Sequence, residues 1–365
     1  PRLNMLLSMR RNRQLANALV ALMTTSSLVL HSYSTTLSSP LHEAYLATVR
    51  SHPPGSFGMG SHSSQIVATL HVKTSVSRAG VTLCNGVVLP FVGIGVGGYI
   101  SDATSFLINQ ALAVGLYAID SSQGYNMNAT VHALRHHQRS SYFLTFKVLP
   151  CLPETWGCSS MTFNQIETNL ALLGADSFDL TIIHWPPAGH SCDNISACAG
   201  AQEQWAALEG ALRAGKTRAI GVSNLYTSSC FECIQRTAKV APMVNQVEYH
   251  VGMGGDYQGV RTYCDARRIV LQAYAPLGYG KVDTNKMLDN PVVMATAHRH
   301  GKSPAQVALK WLQQHGIPFV GSSLNARHMV ENADVFEWYL EAEEMAALDA
   351  CTSPERSGHT YALMG

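Results

Sequence analysis

The sequence predicts an α/β fold, a (β/α)8 barrel that follows an N-terminal β-hairpin and a non-barrel N-terminal extension. Two observations predict the barrel. Short, continuously apolar runs alternate with helical stretches, which is typical of a parallel sheet covered by helices. Eight such runs occur, and eight strand–helix units over ~250 residues are typical of a closed barrel. An open, doubly wound parallel sheet is the structural alternative.

The elements follow in order from Val81. Val81–Leu89 holds two short β-type runs around Asn85-Gly86, a strong hairpin signal. The strand candidates are Phe91–Gly95, Tyr117–Asp120, Phe143–Lys147, Leu180–His184, Ala219–Val222, Met243–Glu248, Val270–Tyr274 and Pro318–Gly321. Between them, Ser101-Asp102 is expected to cap a helix, and Ser303-Pro304 reads as an N-cap followed by proline at the first helical position.

Length and composition favour a folded chain with a sizeable core. The 365 residues are 46% hydrophobic and 13% charged, which excludes extensive disorder. A formal net charge of +1 gives no reason to expect a nucleic-acid partner. We divide the chain into an extension, residues 1–77, and a barrel with a C-terminal tail, residues 78–365. We expect a monomer or a weak dimer.

The extension has the composition of a targeting segment. Residues 1–101 contain one acidic residue, Glu43, and their first part is rich in arginine. The apolar run Leu15–Leu30 follows, which is short for a membrane span of ~20 residues. A basic start before an apolar run predicts a secretory signal, a signal anchor or an organellar transit peptide. A disordered extension on a cytoplasmic protein is the alternative.

The nine cysteines give a mixed signal. Four fall in predicted loops and would pair if the chain is secreted: Cys151, Cys158, Cys192 and Cys198. Cys230 and Cys233 have the spacing of a redox motif, but their place on a helix favours two packed thiols. No spacing typical of metal ligands is present, so we expect no bound metal.

One glycine motif invites a dinucleotide-binding interpretation. Gly93-Ile-Gly95-Val-Gly97-Gly98 matches G-x-G-x-x-G, with Asp120 at about the expected distance. In that fingerprint the last glycine lies in the turn that opens a helix. Here Tyr99 and Ile100 intervene before Ser101, and the unit follows a hairpin. We therefore prefer the barrel interpretation.

The strand ends carry the residues of a candidate active site. In a barrel of this kind, catalytic residues lie at the C-terminal ends of the strands. Four polar residues end strands or follow them closely: Asp120, Tyr125, Lys147 and His184. Each alone has a structural explanation, such as a capping aspartate or a satisfied core histidine, but their convergence on one barrel mouth indicates a catalytic tetrad.

The tetrad has a consistent chemistry for reducing a carbonyl group. The oxygen needs a proton as hydride reaches the carbon, and a tyrosine phenol with a pKa near ~10 holds its proton tightly at neutral pH. We expect Tyr125 to be the acid and Lys147 to lower its pKa. Asp120 would orient the lysine, and His184 would donate a hydrogen bond to the substrate. A nicotinamide cofactor would supply the reductant.

The remaining strand ends predict the cofactor site. Ser223, Asn224 and Gln246 would bind the carboxamide, and Tyr274 would stack on the nicotinamide ring. The loop that follows the last strand precedes a helix, whose N-terminus would accept phosphate. The complete set of expected cofactor-binding residues is Gly95, Ser223, Asn224, Gln246, Tyr274, Leu277, Ser322, Ser323, Arg327, Glu331 and Asn332, with Trp185 expected to contact the substrate.

On these residues the chain resembles the aldo-keto reductase family over about residues 78–351. Asp120-Ser-Ser-Gln-Gly-Tyr125 resembles the family's D-T-A-x-x-Y element. Further similar segments are Phe143–Lys147, Leu180–Pro186, Gly215–Asn224, Val244–His250, Ala273–Gly278 and Glu331-Asn332. The resemblance implies metal-free reduction of small aldehydes or ketones, usually with NADPH.

The chain departs from the family pattern at the expected phosphate site. The family commonly has Lys-Ser and a following Arg that bind the 2′-phosphate of NADP. This chain has Ser322-Ser323 and His328, with Arg327 one position early. The resemblance favours NADP(H), but losing cations there removes charge-assisted bonds, which weakens that preference and makes NAD(H) the second candidate cofactor. A cofactor-binding regulatory or accessory barrel without a metabolic substrate is the functional alternative, because fold alone does not fix function.

Overall fold

Eight parallel strands pair side by side in a closed ring. The structure is a computed structural model that describes residues 79–151, 157–186, 192–193 and 195–356. The barrel strands are β3 (Val92–Gly95), β4 (Ala118–Ser122), β5 (Phe143–Val148), β6 (Leu180–Ile183), β7 (Ile220–Ser223), β8 (Val244–Glu248), β9 (Val270–Tyr274) and β10 (Phe319–Gly321). The predicted (β/α)8 fold is confirmed, and the open-sheet alternative is wrong.

The helices alternate with these strands along the chain. They are α1 (Ser101–Ala113), α2 (Met127–Leu134), α3 (Cys158–Leu173), α4 (Ile195–Arg213), α5 (Ser228–Gln235), α6 (Val260–Ala266), α7 (Gly280–Leu288), α8 (Pro291–His300), α9 (Pro304–Gln314), α10 (Ala326–Ala333) and α11 (Ala342–Asp349). Short 3-10 turns lie at Arg139–Ser141 and Tyr257–Gly259. Among the described residues, no helix combines the length and the apolarity that a bilayer crossing needs. The targeting prediction falls on residues 1–77, outside the described part.

The barrel strands are buried on both sides, which explains their continuously apolar sequences. Every residue of β4, β5, β6, β7 and β8 is buried. The inward side chains fill the barrel, and the outward ones pack against the helices. Large side chains such as Trp205 and Trp311 are 1% and 0% exposed, so the helical layer is part of the same core.

The predicted hairpin lies ahead of the barrel and is tied to it. β1 (Gly80–Thr82) pairs antiparallel with β2 (Val88–Pro90) around the Asn85-Gly86 turn. The Asn85 amide donates to the carbonyl of Arg218, 2.8 Å away, just before β7 begins. Leu83 and Leu89 are buried. The hairpin therefore packs at the N-terminal end of the strands, opposite the predicted tetrad.

The two predicted helix starts differ in outcome. Ser303 caps α9 in a capping box with Gln306, and Pro304 occupies the first turn, as predicted. The Ser101 prediction is wrong: Ile100 is the N-cap of α1, without a side-chain cap. Ser101 is already helical, and its hydroxyl accepts a hydrogen bond from the Asn126 amide at 2.7 Å. Ser101 therefore takes part in a hydrogen bond between α1 and the start of α2 and does not cap α1.

Six cysteines form three disulfide bonds, Cys151–Cys158, Cys192–Cys230 and Cys198–Cys233. Two predictions about them are wrong. Cys230 and Cys233 are not free packed thiols. They lie three residues apart on α5, and each bonds a cysteine from the neighbouring segment around the start of α4. Cys158 is the first residue of α3 and Cys198 lies within α4, so neither is in a loop. The bridges Cys192–Cys230 and Cys198–Cys233 therefore join the segment before α4, and α4 itself, to α5.

Candidate active site

The predicted tetrad converges at the C-terminal mouth of the barrel. Strand register brings this about: Gly95 pairs with Asp120, and Ser122 pairs with Lys147 on the next strand. His184 follows β6 directly, and its amide donates to the carbonyl of Val148 at 2.9 Å. Because all eight strands are parallel, their carboxyl ends share one edge, and the polar residues at those ends meet there.

A buried polar network fixes the lysine. Lys147 forms an ion pair with Asp120, and its ammonium also donates to the Gln246 amide oxygen at 3.0 Å. Gln246 in turn donates to the second Asp120 oxygen at 2.7 Å and to Gln272 at 2.9 Å. A buried ion pair needs such additional hydrogen bonds to offset desolvation. Asp120 therefore orients Lys147, as the sequence predicts, with two glutamines completing the arrangement.

Tyr125 lies against this network in a tightly packed position. The Lys147 ammonium is 5.5 Å from the centre of the Tyr125 ring. A Cβ atom at Gly97 would lie 2.7 Å from the Tyr125 ring, so glycine is required there to make room for the phenol. Gly97, at a variable position of the G-x-G-x-x-G motif, therefore makes room for the tyrosine.

The Tyr125 pKa differs from the sequence prediction. Burial raises it well above its ordinary value, and the negative charge of Asp120 raises it further. The predicted net lowering is therefore wrong, because burial and the Asp120 charge outweigh the effect of the Lys147 charge. The phenol is therefore firmly protonated at neutral pH, which is the state that a proton donor requires.

His184 is neutral and closely held. Burial lowers its pKa well below the ordinary value, and the positive charge of Lys147 lowers it further. Its Nε2 lies 3.5 Å from the Tyr125 hydroxyl oxygen, and its Nδ1 lies 3.0 Å from the Ser122 hydroxyl. Trp185 stacks on the imidazole with ring centres 5.0 Å apart. Tyr125 and His184 can thus contact the same substrate atom.

A cavity of about 790 Å³ opens from the tetrad along the mouth of the barrel. This volume lies within the ~300–1,000 Å³ usual for small-molecule and cofactor sites. Of the predicted residues, all four tetrad members line it, together with Trp185, Gly95, Ser223, Asn224, Gln246, Tyr274, Leu277, Ser322, Ser323 and Asn332. Arg327 and Glu331 do not line the cavity.

The middle of the cavity carries the groups predicted to bind a carboxamide. Asn224 has a left-handed backbone conformation, φ 64°, which turns its side chain back across the strand ends. Its amide nitrogen donates to the His184 carbonyl at 2.9 Å, and its amide oxygen accepts from the Tyr274 hydroxyl at 2.8 Å. The Ser223 hydroxyl donates to the Gln246 carbonyl at 2.6 Å. These contacts hold Ser223, Asn224 and Tyr274 in place on the side of the cavity next to the tetrad.

The far end of the cavity reaches the loop before α10. Asn325 caps this helix by accepting from the Arg327 amide at 2.9 Å. The Arg327 side chain is exposed and pairs with Glu331 at 2.7 Å. Ser322 and His328 are also exposed. The predicted phosphate end therefore offers hydroxyls and a helix N-terminus, and its one nearby arginine is already paired.

Several residues of the site were not predicted from the sequence, and three of them make contacts that matter for the tetrad or the cavity. Ser122 contacts His184, Gln272 completes the lysine network, and Tyr279 lines the cavity. The position of Gln272 inside the seventh barrel strand was a usable signal, because an amide in an apolar run needs a partner. Ser122 and Tyr279 gave no comparable signal, since a serine in a strand and a tyrosine in a loop are common.

Comparison with known proteins is consistent with this geometry. The model of the Aldo/keto reductase family matches residues 93–353. Glyoxal reductase of Bacillus subtilis is 35% identical, over 76% of this chain and 94% of its own length. The 9,11-endoperoxide prostaglandin H2 reductase of Trypanosoma cruzi is 33% identical, over 76% of this chain and 93% of its own length.

Solved structures of similar proteins have the same fold as this chain. MGS-M4, an aldo-keto reductase from a deep-sea metagenome library of the Medee basin, has a TM-score of 0.66 at 29% identity, over 75% of this chain and 95% of its own. A mutant of Gox0644 in complex with NADPH has a TM-score of 0.64 at 27% identity, over 75% and 93% of the two chains. The chain therefore belongs to the aldo/keto reductase family and is an NAD(P)H-dependent oxidoreductase.

Proposed function

We propose that this protein reduces aldehydes or ketones to alcohols, with Tyr125 as the proton donor. The observation that carries the proposal is the placement of a protonated phenol and a neutral imidazole, 3.5 Å apart, at the inner end of one cavity. Both groups can reach a single carbonyl oxygen. Similarity to reductases, such as the glyoxal reductase of Bacillus subtilis, also supports reduction as the reaction.

The chain's own residues would act in a defined order. The carbonyl oxygen would accept a hydrogen bond from the His184 imidazole and another from the Tyr125 hydroxyl. As negative charge develops on that oxygen, the Tyr125 proton moves to it, and a phenolate is left. The Lys147 ammonium, 5.5 Å from the ring centre, then offsets the phenolate charge. Proton transfer from a positioned acid contributes ~10²–10⁴-fold to rate.

The residues present fit a nicotinamide cofactor. The wall next to the tetrad has two strand-end residues suited to an amide, Ser223 and Asn224, and Tyr274 offers a flat ring. At Gly95 a Cβ atom would come no closer than 4.0 Å to the nearest atom, the Gly321 carbonyl oxygen. The space beside this glycine is therefore open to a ligand. When bound, the nicotinamide supplies the hydride that the carbonyl carbon receives.

For the cofactor we propose NADPH as the preferred form, with NADH also accepted. The NADPH complex of Gox0644 supports the first part. The second part rests on the outer end of the cavity, where Ser322 and His328 stand in place of two cations and Arg327 is paired with Glu331. A 2′-phosphate there would lack the strong charge-assisted bonds of an arginine or lysine.

The test is a spectrophotometric assay of the full chain with a reactive aromatic aldehyde, run in parallel with NADPH and NADH. We expect oxidation of both cofactors, with the higher kcat/KM for NADPH. A fluorescence titration gives the Kd of each cofactor independently of turnover. Tight cofactor binding without oxidation, across a panel of aldehydes and ketones, would contradict the reductase proposal and favour a regulatory barrel.

A further inference from the structure

Ser122 places a buried hydroxyl against the imidazole of His184. It is 0% exposed at the end of β4, where it pairs in register with Lys147. The hydroxyl oxygen lies 3.0 Å from His184 Nδ1 and 3.3 Å from the Lys147 carbonyl oxygen, and it accepts from the Gly124 amide at 3.2 Å. The family element that Asp120–Tyr125 resembles, D-T-A-x-x-Y, has alanine at this position.

Because the imidazole is neutral, its contact with Ser122 can determine which ring nitrogen carries the proton. His184 is neutral at neutral pH, because burial and the Lys147 charge lower its pKa. A neutral imidazole carries one ring proton, on either Nδ1 or Nε2, and the hydrogen bond made by the other nitrogen selects between them. The Ser122 hydroxyl has one hydrogen, which it can donate to His184 Nδ1 or to the Lys147 carbonyl.

Distances and competition favour donation to the imidazole. Nδ1 is closer to the hydroxyl oxygen than the Lys147 carbonyl is, at 3.0 Å against 3.3 Å. The Lys147 carbonyl also accepts from the Gln123 amide at 3.0 Å, so it does not depend on the serine. Donation to Nδ1 leaves the ring proton on Nε2, which faces the Tyr125 hydroxyl at 3.5 Å.

We propose that Ser122 is a positioning residue that holds His184 in the Nε2-protonated tautomer. In this tautomer the imidazole donates to the carbonyl oxygen of the substrate, and the Tyr125 proton stays available for transfer. In the opposite tautomer Nε2 would accept a hydrogen bond from the Tyr125 hydroxyl. The Tyr125 proton would then point to the imidazole and not to the substrate. The proposal deepens the reductase function proposed above and rests on it for its consequence in turnover.

The first measurement is the ¹⁵N NMR spectrum of His184 in the resting full-length protein, assigned by loss of the signal in His184→Gln. We expect the proton on Nε2 in the wild type and a mixture of tautomers in Ser122→Ala. In turnover, Ser122→Ala should lower kcat about tenfold, which is the effect of losing one hydrogen bond. Ser122→Thr keeps the hydroxyl and should restore both the tautomer and most of kcat.

Ser121→Ala is the matched control. Ser121 is also 0% exposed, and its hydroxyl donates to Met127 Sδ at 3.0 Å, away from the cavity. This variant loses a comparable contact and should keep the wild-type tautomer and kcat. A wild-type proton on Nδ1, or unchanged kcat and tautomer in Ser122→Ala, would overturn the proposal.

The two measurements separate this proposal from the reductase proposal. The NMR result requires no substrate and no turnover, so it decides the tautomer even if the wild type reduces no carbonyl compound. Where Ser122→Ala does not fold, the wild-type spectrum still decides the assignment, and Ser122→Thr reports whether the hydroxyl suffices.

Discussion

At the residue scale, Lys147 divides its ammonium between the Asp120 carboxylate and the Gln246 amide oxygen. Burial and the Asp120 charge outweigh the Lys147 charge at the phenol of Tyr125 and raise its pKa. A firmly held proton leaves Tyr125 only when the substrate oxygen becomes basic. The lysine would ease this transfer, because its charge offsets the charge of the phenolate that forms beside it.

The role of Tyr125 can be tested by removing its hydroxyl. Tyr125→Phe should lower kcat by about 10²–10⁴-fold, because general acid catalysis is lost, while the cofactor Kd changes little. Steady-state kinetics and fluorescence titration measure the two effects separately. Tyr226→Phe is the matched control: its hydroxyl donates to the Glu248 carbonyl at 3.1 Å, outside the cavity. Near-wild-type turnover in Tyr125→Phe would exclude the tyrosine as the acid.

His184 should make folding stability depend on pH. Its pKa is lowered in the folded state, by burial first and then by Lys147, so the unfolded chain binds this proton more readily. The contribution is complete above the unfolded pKa of ~6.5 and is lost as pH falls below it, at up to ~1.4 kcal/mol per pH unit. The free energy of urea unfolding, measured at several pH values, should depend less steeply on pH between ~6.5 and ~5 in His184→Asn than in the wild type. An identical slope in both proteins would contradict the shift.

The tetrad was predictable from sequence because each member ends a strand or follows one closely, and parallel strands end at one edge. The contacts between members were not. Ser121 and Ser122 point to opposite sides of β4, as neighbours in a strand must, but the sequence does not say that one meets Met127 and the other His184. Likewise, the Arg327–Glu331 pair depends on a helix start that the sequence places only approximately.

At the element scale, two disulfides join α5 to α4 and to the segment before α4, and their pairing was not predicted from the sequence. The local spacing of Cys230 and Cys233 predicted two thiols on one face of a helix. Both residues do lie on α5, three residues apart. Their partners, Cys192 and Cys198, are 38 and 35 residues away in sequence, and the packing of α4 on α5 brings them together. Strand limits, by contrast, followed from local apolar runs and were predicted to within two residues.

The bridge between Cys192 and Cys230 should stabilise the fold measurably. It closes a loop of 38 residues, and a disulfide of this kind contributes about 2–4 kcal/mol, chiefly by restricting the unfolded chain. Cys192→Ser with Cys230→Ser should lower the free energy of urea unfolding by that amount. Cys264→Ser removes a buried free thiol and serves as the control. A loss no larger than the control's would show that the bridge does not form.

At the scale of the whole molecule, barrel closure pairs β10 with β3, which brings Phe319 beside Val92. Local patterns did not decide between this closed ring and an open sheet, because both consist of the same alternating elements. Gly93 shows how closure uses the glycine motif. A Cβ atom there would lie 2.9 Å from Val320 Cγ1 and 3.3 Å from the Ala118 Cβ, so glycine allows the first strand to pack against the last.

The prediction that residues 1–77 are a targeting segment can be combined with the three disulfides. All eight strands and every predicted site residue lie within 79–356, so we expect residues 78–365 to keep the kcat/KM and the unfolding midpoint of the full chain. Disulfides persist in oxidising compartments and are rare in the cytosol. In cells, the six bridged cysteines should therefore resist alkylation when residues 1–77 are attached and react when they are removed.

Mass spectrometry of alkylated protein from both forms measures this difference. Cys84, an exposed free thiol, should be alkylated in both and serves as the internal control. Complete alkylation of the six cysteines in the full chain would place it in a reducing compartment and contradict the targeting prediction. Bridges that persist without residues 1–77 would mean that the barrel protects its own disulfides and that the segment has another role. A loss of kcat/KM on its removal would instead make residues 1–77 part of the working enzyme.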